Sequence, residues 1–120
     1  MSRRAIAENA EYLGTFPIGP ITNDSATTID IPDRPAGKSM AISHLHLVNE
    51  SQSVRTRISV LARGQSDTNI GYTACGLDDS GSDVSMQDQS CFMFAPDEDF
   101  GLQCGTTGAS IVGFCAVWVW

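Results

Sequence analysis

His44 and His46 are the chain's only histidines, and they stand two apart in the run Ala41-Ile42-Ser43-His44-Leu45-His46-Leu47. On an extended strand such residues project from one face, a geometry compatible with two ligands of one transition metal. Two ligands do not make a site, and no further Cys, His or carboxylate has a spacing that completes it nearby. Structural or exposed histidines are therefore expected. The acidic stretches Asp78-Asp79-Ser80-Gly81-Ser82-Asp83 and Asp97-Glu98-Asp99 offer oxygen ligands to calcium. The first lacks the twelve-residue EF-hand pattern and its closing Glu, so solvated turns are the expectation. Cys75, Cys91, Cys104 and Cys115 are spaced by 16, 13 and 11 residues, with no C-x-x-C pair to suggest zinc. Each lies in or beside an apolar run, where a free thiol behaves as a small buried hydrophobe. With no export signal, reduced core cysteines are expected. No metal and no cofactor is assigned.

Nucleophilic and phosphate chemistry leave no trace. There is no Ser/His/Asp order, G-x-S-x-G, Walker loop or dinucleotide fingerprint. The acidic pairs lie in separate loops, a poor start for the two flanking carboxylates of a glycosidase. The chain is read as a non-enzyme.

Two other groupings suit recognition better than catalysis. Arg55, Arg57 and Arg63 share one parity of a strand in a chain whose formal net charge is −7. They either pair with flanking acids on a solvated sheet face or meet an acidic partner surface and steer docking. The last strand, Ser110 to Trp120, has no polar face. Val112, Phe114, Ala116, Trp118 and Trp120 point one way, and Ile111, Gly113, Cys115, Val117 and Val119 the other. A sandwich strand normally buries one face and wets the other. The second apolar face is covered by the same chain, by a second copy, or by a ligand, and Trp is enriched at such interfaces.

These groups are positioned by strands. Val54, Thr56, Ile58, Val60 and Ala62 alternate with Arg55, Arg57, Ser59, Leu61 and Arg63, a period of two. With Met40 to Val48 before it and Asn49-Glu50-Ser51-Gln52-Ser53 between, the segment reads as a central hairpin. Glu11 to Ile18, Ser25 to Ile31, Thr68 to Cys75, Cys91 to Phe94 and Phe100 to Cys104 supply further short strands between Gly-, Pro- and Asp-rich turns. The expected fold is all-β: a single-domain antiparallel β-sandwich or jelly roll of about seven to eight strands. An up-and-down barrel is the alternative topology. Residues 1–10 form an extended N-terminal arm and residues 11–120 the sandwich domain.

At 120 residues the chain is long enough for one hydrophobic core. Seven basic residues against fourteen acidic ones argue against nucleic acid as a partner. No apolar run approaches a membrane span. Ala5 to Ala10, interrupted by Glu8 and Asn9, cannot be a signal-peptide core. A soluble protein made in the cytoplasm is expected.

A polar N-terminal arm, then "AISHLHLVNES", "RTRISVLARG" and "FAPDEDFGLQC", then an apolar closing strand, resembles small structural proteins of tailed-bacteriophage heads and tails. Head decoration (cement) proteins with a β-sandwich or jelly-roll core are the nearest in pattern, over roughly residues 25 to 120. The resemblance implies a virion protein on the capsid exterior that binds the major capsid protein and itself, often as a trimer. Head–tail connector or tail structural proteins are the neighbouring alternative, and a carbohydrate-binding module using Trp118 and Trp120 is the distant one. The patterning nominates three contacts. Arg3, Arg4 and Tyr12 of the arm region meet the shell. Arg55, Arg57 and Arg63 meet acidic shell or neighbouring subunits. Trp118 and Trp120 pack between subunits.

Overall fold

A computed structural model describes residues 3–5, 9–22, 24–51, 53–75, 82–85 and 90–120. Its described residues contain ten strands: β1 (Arg3–Ala5), β2 (Glu11–Ile21), β3 (Thr27–Thr28), β4 (Met40–Asn49), β5 (Thr56–Arg63), β6 (Asp67–Cys75), β7 (Ser82–Ser85), β8 (Ser90–Phe94), β9 (Asp99–Cys104) and β10 (Ile111–Val119). The protein is all-β, as the alternating patterns require. β1 and β3 are only three and two residues long, which leaves eight strands of the length that the sequence signals.

Two antiparallel sheets face each other. The first runs β1-β8-β4-β10-β2, with β7 also paired to β4, and the second runs β3-β9-β5-β6. β7 and β8 pair with different ends of β4, at Ser82–Ser85 against His46–Asn49 and Phe92–Phe94 against Met40–Ile42. They therefore share one edge. Leaving β1 aside, the order 2-10-4-8 facing 3-9-5-6 is a jelly roll, the double Greek key in which successive strands cross repeatedly between sheets.

This topology corrects one expectation. β4 and β5 do not form a hairpin. β4 pairs with β7, β8 and β10, and β5 with β6 and β9. A hairpin would turn the apolar faces of both strands to the same side and leave them to a third layer. In opposite sheets, Ile42, Leu45 and Leu47 bury themselves in one core with Ile58, Val60 and Ala62. Asn49, fully buried at the end of β4, holds the crossing in shape. Its Nδ2 donates to the Val54 carbonyl at 2.7 Å, and its Oδ1 accepts from the N–H of Ser51 at 3.0 Å and of Ser110 at 3.3 Å. A buried amide with both ends satisfied avoids the desolvation penalty of an unpaired one.

Met40, Ile42, Leu47, Ile58, Val60, Phe94, Phe100, Leu102, Ile111 and Val117 form the solvent-free centre. The Phe94 and Phe100 rings lie 5.7 Å apart in a tilted arrangement. Burial of each large side chain contributes about 1.5–3 kcal/mol. Cys104 and Cys115 are free and buried among them. Burial pushes the Cys115 thiol up to about 12. It also raises that of Cys104, partly opposed by a hydrogen bond with Thr56. Neither forms a thiolate at neutral pH, so they act as packing groups. The side chains of Cys75 and Cys91 lie outside the described residues.

Candidate interaction surface

The outer face of the first sheet is shaped by a bulge in β4. Along this strand Met40 and Ile42 are buried in the core cluster, and so, after the bulge, are Leu45 and Leu47. The parity of the inward face thus changes between Ile42 and Leu45. Ser43 and His44 both turn outward there, and the pairing with β10 slips between Phe114 and Ala116. His44 takes a positive φ of 49°, unusual for a residue with a Cβ. Close approach of β10 continues just beyond: a Cβ at Gly113 would run into the His46 carbonyl oxygen.

The bulge organises an aromatic surface. His46 lies opposite Phe114 in register, and their rings stack at 5.2 Å and 24°. Trp118 pairs with Ala41 on one side and Tyr12 on the other. Its Nε1 donates to Ser43 Oγ at 3.0 Å, and that hydroxyl also meets His44 Nδ1 at 3.0 Å. The Tyr12 ring packs 5.1 Å from Trp118 at 56°, and its hydroxyl is hydrogen-bonded to Thr15 Oγ1. Tyr12 is 54% and Phe114 46% exposed, the exposed large hydrophobic residues among those described. Three strands, β2, β10 and β4, therefore present Tyr12, Trp118, Phe114 and His46 with no Asp, Glu, Lys or Arg among them.

Of the nominated contacts, Tyr12 and Trp118 come together here. Trp120, half-buried, is clasped at the start of β4: its N–H and C=O pair with the backbone of Ser39 at 3.1 and 2.9 Å. Phe114 and His46 complete the face and are not among the contacts that the patterning nominates. The parity shared by Phe114 and Trp118 was the signal for the first. The stacking of His46 depends on the cross-strand register and left no sequence signal.

The arginines lie elsewhere. Arg57 is exposed between buried Thr56 and Ile58, on the outward side of the second sheet, and Arg55 is exposed just before β5. Arg63 is committed internally. Its Nε donates to Asp67 at 3.1 Å and its Nη1 to Thr28 Oγ1 at 3.0 Å, so it ties β5 to β3 and to the start of β6. Gly101 leaves room for it, since a Cβ there would lie 2.6 Å from the Arg63 Cδ. The arginine group and the aromatic group thus face opposite ways across the sandwich. Arg3 and Arg4 belong to β1 at the edge beyond β8, and their side chains lie outside the described residues.

Arg34 is a structural staple. Its guanidinium donates to the carbonyls of Glu98 at 2.6 Å, Ala95 at 2.9 Å and Lys38 at 3.4 Å, and pairs with Asp99 at 3.3 Å. The Glu98 carboxylate accepts the Ala95 N–H at 2.9 Å. The acidic turn at 97–99 is therefore held by Arg34 and its own backbone. Residues 78–81 of the other acidic loop lie outside the described residues. Among the described residues no group of three or more His, Cys, Asp or Glu side chains is placed to hold a metal ion, and no helix is long and apolar enough to cross a membrane.

No family model matches the chain, no curated protein matches it, and no solved structure matches it.

Proposed function

We propose that this protein is a non-enzymatic structural protein of a phage particle, a decoration protein that docks on the capsid through the aromatic outer face of its first sheet. The observation that carries this reading is the aromatic surface of Tyr12, Trp118, Phe114 and His46, built on three adjacent strands. Such a face gains binding energy from burial of large rigid rings. It also lacks the acids that would repel another acidic protein. The jelly roll is a common framework of viral capsid proteins, and the sequence pattern of the chain resembles head decoration proteins. Fold alone does not fix function, so the weight rests on the face.

Mechanically the role needs no chemistry. Binding to the assembled shell and not to free subunits stabilises the assembled state by mass action, and repetition around symmetry axes multiplies individually weak contacts. The major capsid protein and other copies of this chain are the partners, with a trimer as the implied state. A head–tail connector role differs only in where the face docks. Glycan binding draws support from the exposure of Tyr12 and Phe114, but the 56° tilt between Tyr12 and Trp118 presents no common plane for a sugar ring.

Co-sedimentation with phage heads stripped of accessory proteins tests the reading. Saturable binding at a fixed ratio to the major shell protein is expected. Absence of binding to heads, with retention on a polysaccharide matrix, would replace it with the glycan reading.

A further inference from the structure

We infer that the cleft between residues 28–31 and the start of β9 is an anchor site for a basic side chain, lysine or arginine, of a partner protein. It shares no residue with the aromatic face and stands whether or not that face docks on a shell.

The cleft encloses about 350 Å³, within the range of clefts that hold ligands. Its apolar lining is Met40, Phe100 and Ile29, all buried, with half-buried Ile31. Two exposed acids, Asp30 and Asp99, line it as well. Their placement follows from the β3–β9 ladder. Thr27 pairs with Leu102 and Thr28 with Gly101, and the Ile29 N–H donates to the Phe100 carbonyl at 2.8 Å. That register, continued by two residues past Thr28, sets Asp30 level with Asp99. Like charges directly opposite one another repel, and here both border one cleft.

One of the two acids is already matched. Arg34 Nη1 pairs with Asp99 at 3.3 Å and donates to the Glu98 carbonyl at 2.6 Å. Its Nη2 donates to the carbonyls of Ala95 at 2.9 Å and Lys38 at 3.4 Å. The four Nη hydrogens thus meet four acceptors, and no fork is left for an anionic ligand. Arg63, which reaches the Thr28 side, is bonded to Thr28, the Ala26 carbonyl and Asp67. Asp30 has no hydrogen bond or ion pair among the described residues.

A lysine or arginine side chain answers both features. Its apolar stem lies along Met40, Phe100 and the isoleucines while its charged head stays near water beside the carboxylates. An uncharged apolar group would leave Asp30 unmatched opposite Asp99, and an anion would add a third negative charge. The net charge of −7 draws a cationic partner towards the molecule.

Backbone amide NMR shifts of the full chain test the site. The probes are Nα-acetyl-lysine methylamide, its arginine counterpart, and the norleucine counterpart, which keeps an apolar stem without the ammonium. Saturable movement of the Ile29, Asp30, Asp99 and Phe100 amides is expected with the two basic probes, weakening as salt is added. The D30N variant should bind them about fivefold more weakly, the loss of one partly exposed ion pair. Equal binding of the norleucine probe, unchanged affinity in D30N, or no saturable movement at these four amides overturns the inference. Butylammonium identifies the source of the cation. Binding of butylammonium without binding of the capped lysine would assign the cleft to a small free amine and overturn the partner side chain. The norleucine and butylammonium arms use wild-type protein and depend on no variant.

Discussion

The two outer faces of the sandwich carry opposite kinds of surface. On the β2-β10-β4 side, Tyr12 and Phe114 are large apolar groups about half exposed. On the β5 side, Arg63 bonds to Asp67 and Thr28, and Arg55 and Arg57 are exposed charged groups. The first face buries apolar area when covered. The second exchanges water for partners at little net gain, as exposed charges do. Groups of charge and groups of rings, equally conspicuous in a sequence, thus differ in what docking returns.

The comparison presupposes that β4 and β5 lie in opposite sheets, and Asn49 is the residue that secures the crossing. Asn49→Ala strands the Val54 carbonyl and two N–H groups, and a loss of about 2–4 kcal/mol is expected. Urea unfolding checks it, and a loss under half a kcal/mol would show that the crossing needs no such brace. A similar test asks whether the sheets stay closed over Cys115. Its thiol is raised from 9.0 to about 12 by burial. The folded state therefore holds the proton more tightly than the unfolded chain. Stability from this group is fully present below about pH 9 and is lost as pH rises towards 12. Urea midpoints at pH 8 and pH 10.5 should diverge more in wild type than in Cys115→Ala, where the raised Cys104 thiol remains; equal divergence in both would place the alkaline loss elsewhere.

On the faces themselves, Phe114→Ala is expected to weaken shell binding by about 2 kcal/mol, some 30-fold, with thermal stability nearly unchanged because the ring is exposed. A melting point lowered by ten degrees would make Phe114 a folding residue instead. Arg63→Ala should cost about 1 kcal/mol of stability through its lost ties to β3 and β6, and unaltered unfolding would show those ties to be inert. The smallest effect belongs to Arg55→Ala with Arg57→Ala: under threefold in binding at moderate salt. A large loss there would invert the comparison.

Much of this was legible in the sequence because period-two alternation reports which face of a strand is buried. Ile58, Val60 and Ala62 inward with Arg57 outward follow from it directly, as does the doubly apolar β10. Alternation says nothing about which strand lies alongside, so it suggests a hairpin of β4 and β5 although they line opposite walls of one core. The bulge at Ser43 and His44 is a register event set by β10, and nothing in the local residues announces it. The role of Arg34 has no local signal because its partners, Ala95 and Glu98, lie some sixty positions away. Arg63 and Arg57 share a parity, yet only the fold shows that Arg63 reaches Thr28 and Asp67.

The most direct test of the docking face is co-sedimentation of stripped phage heads with three proteins in parallel: wild type, Tyr12→Ala/Phe114→Ala, and Arg55→Ala/Arg57→Ala. Saturable binding of wild type and the arginine variant, with binding lost in the aromatic variant, is the predicted result. Binding retained by the aromatic variant and lost by the arginine variant would move the docking surface to the opposite side of the molecule.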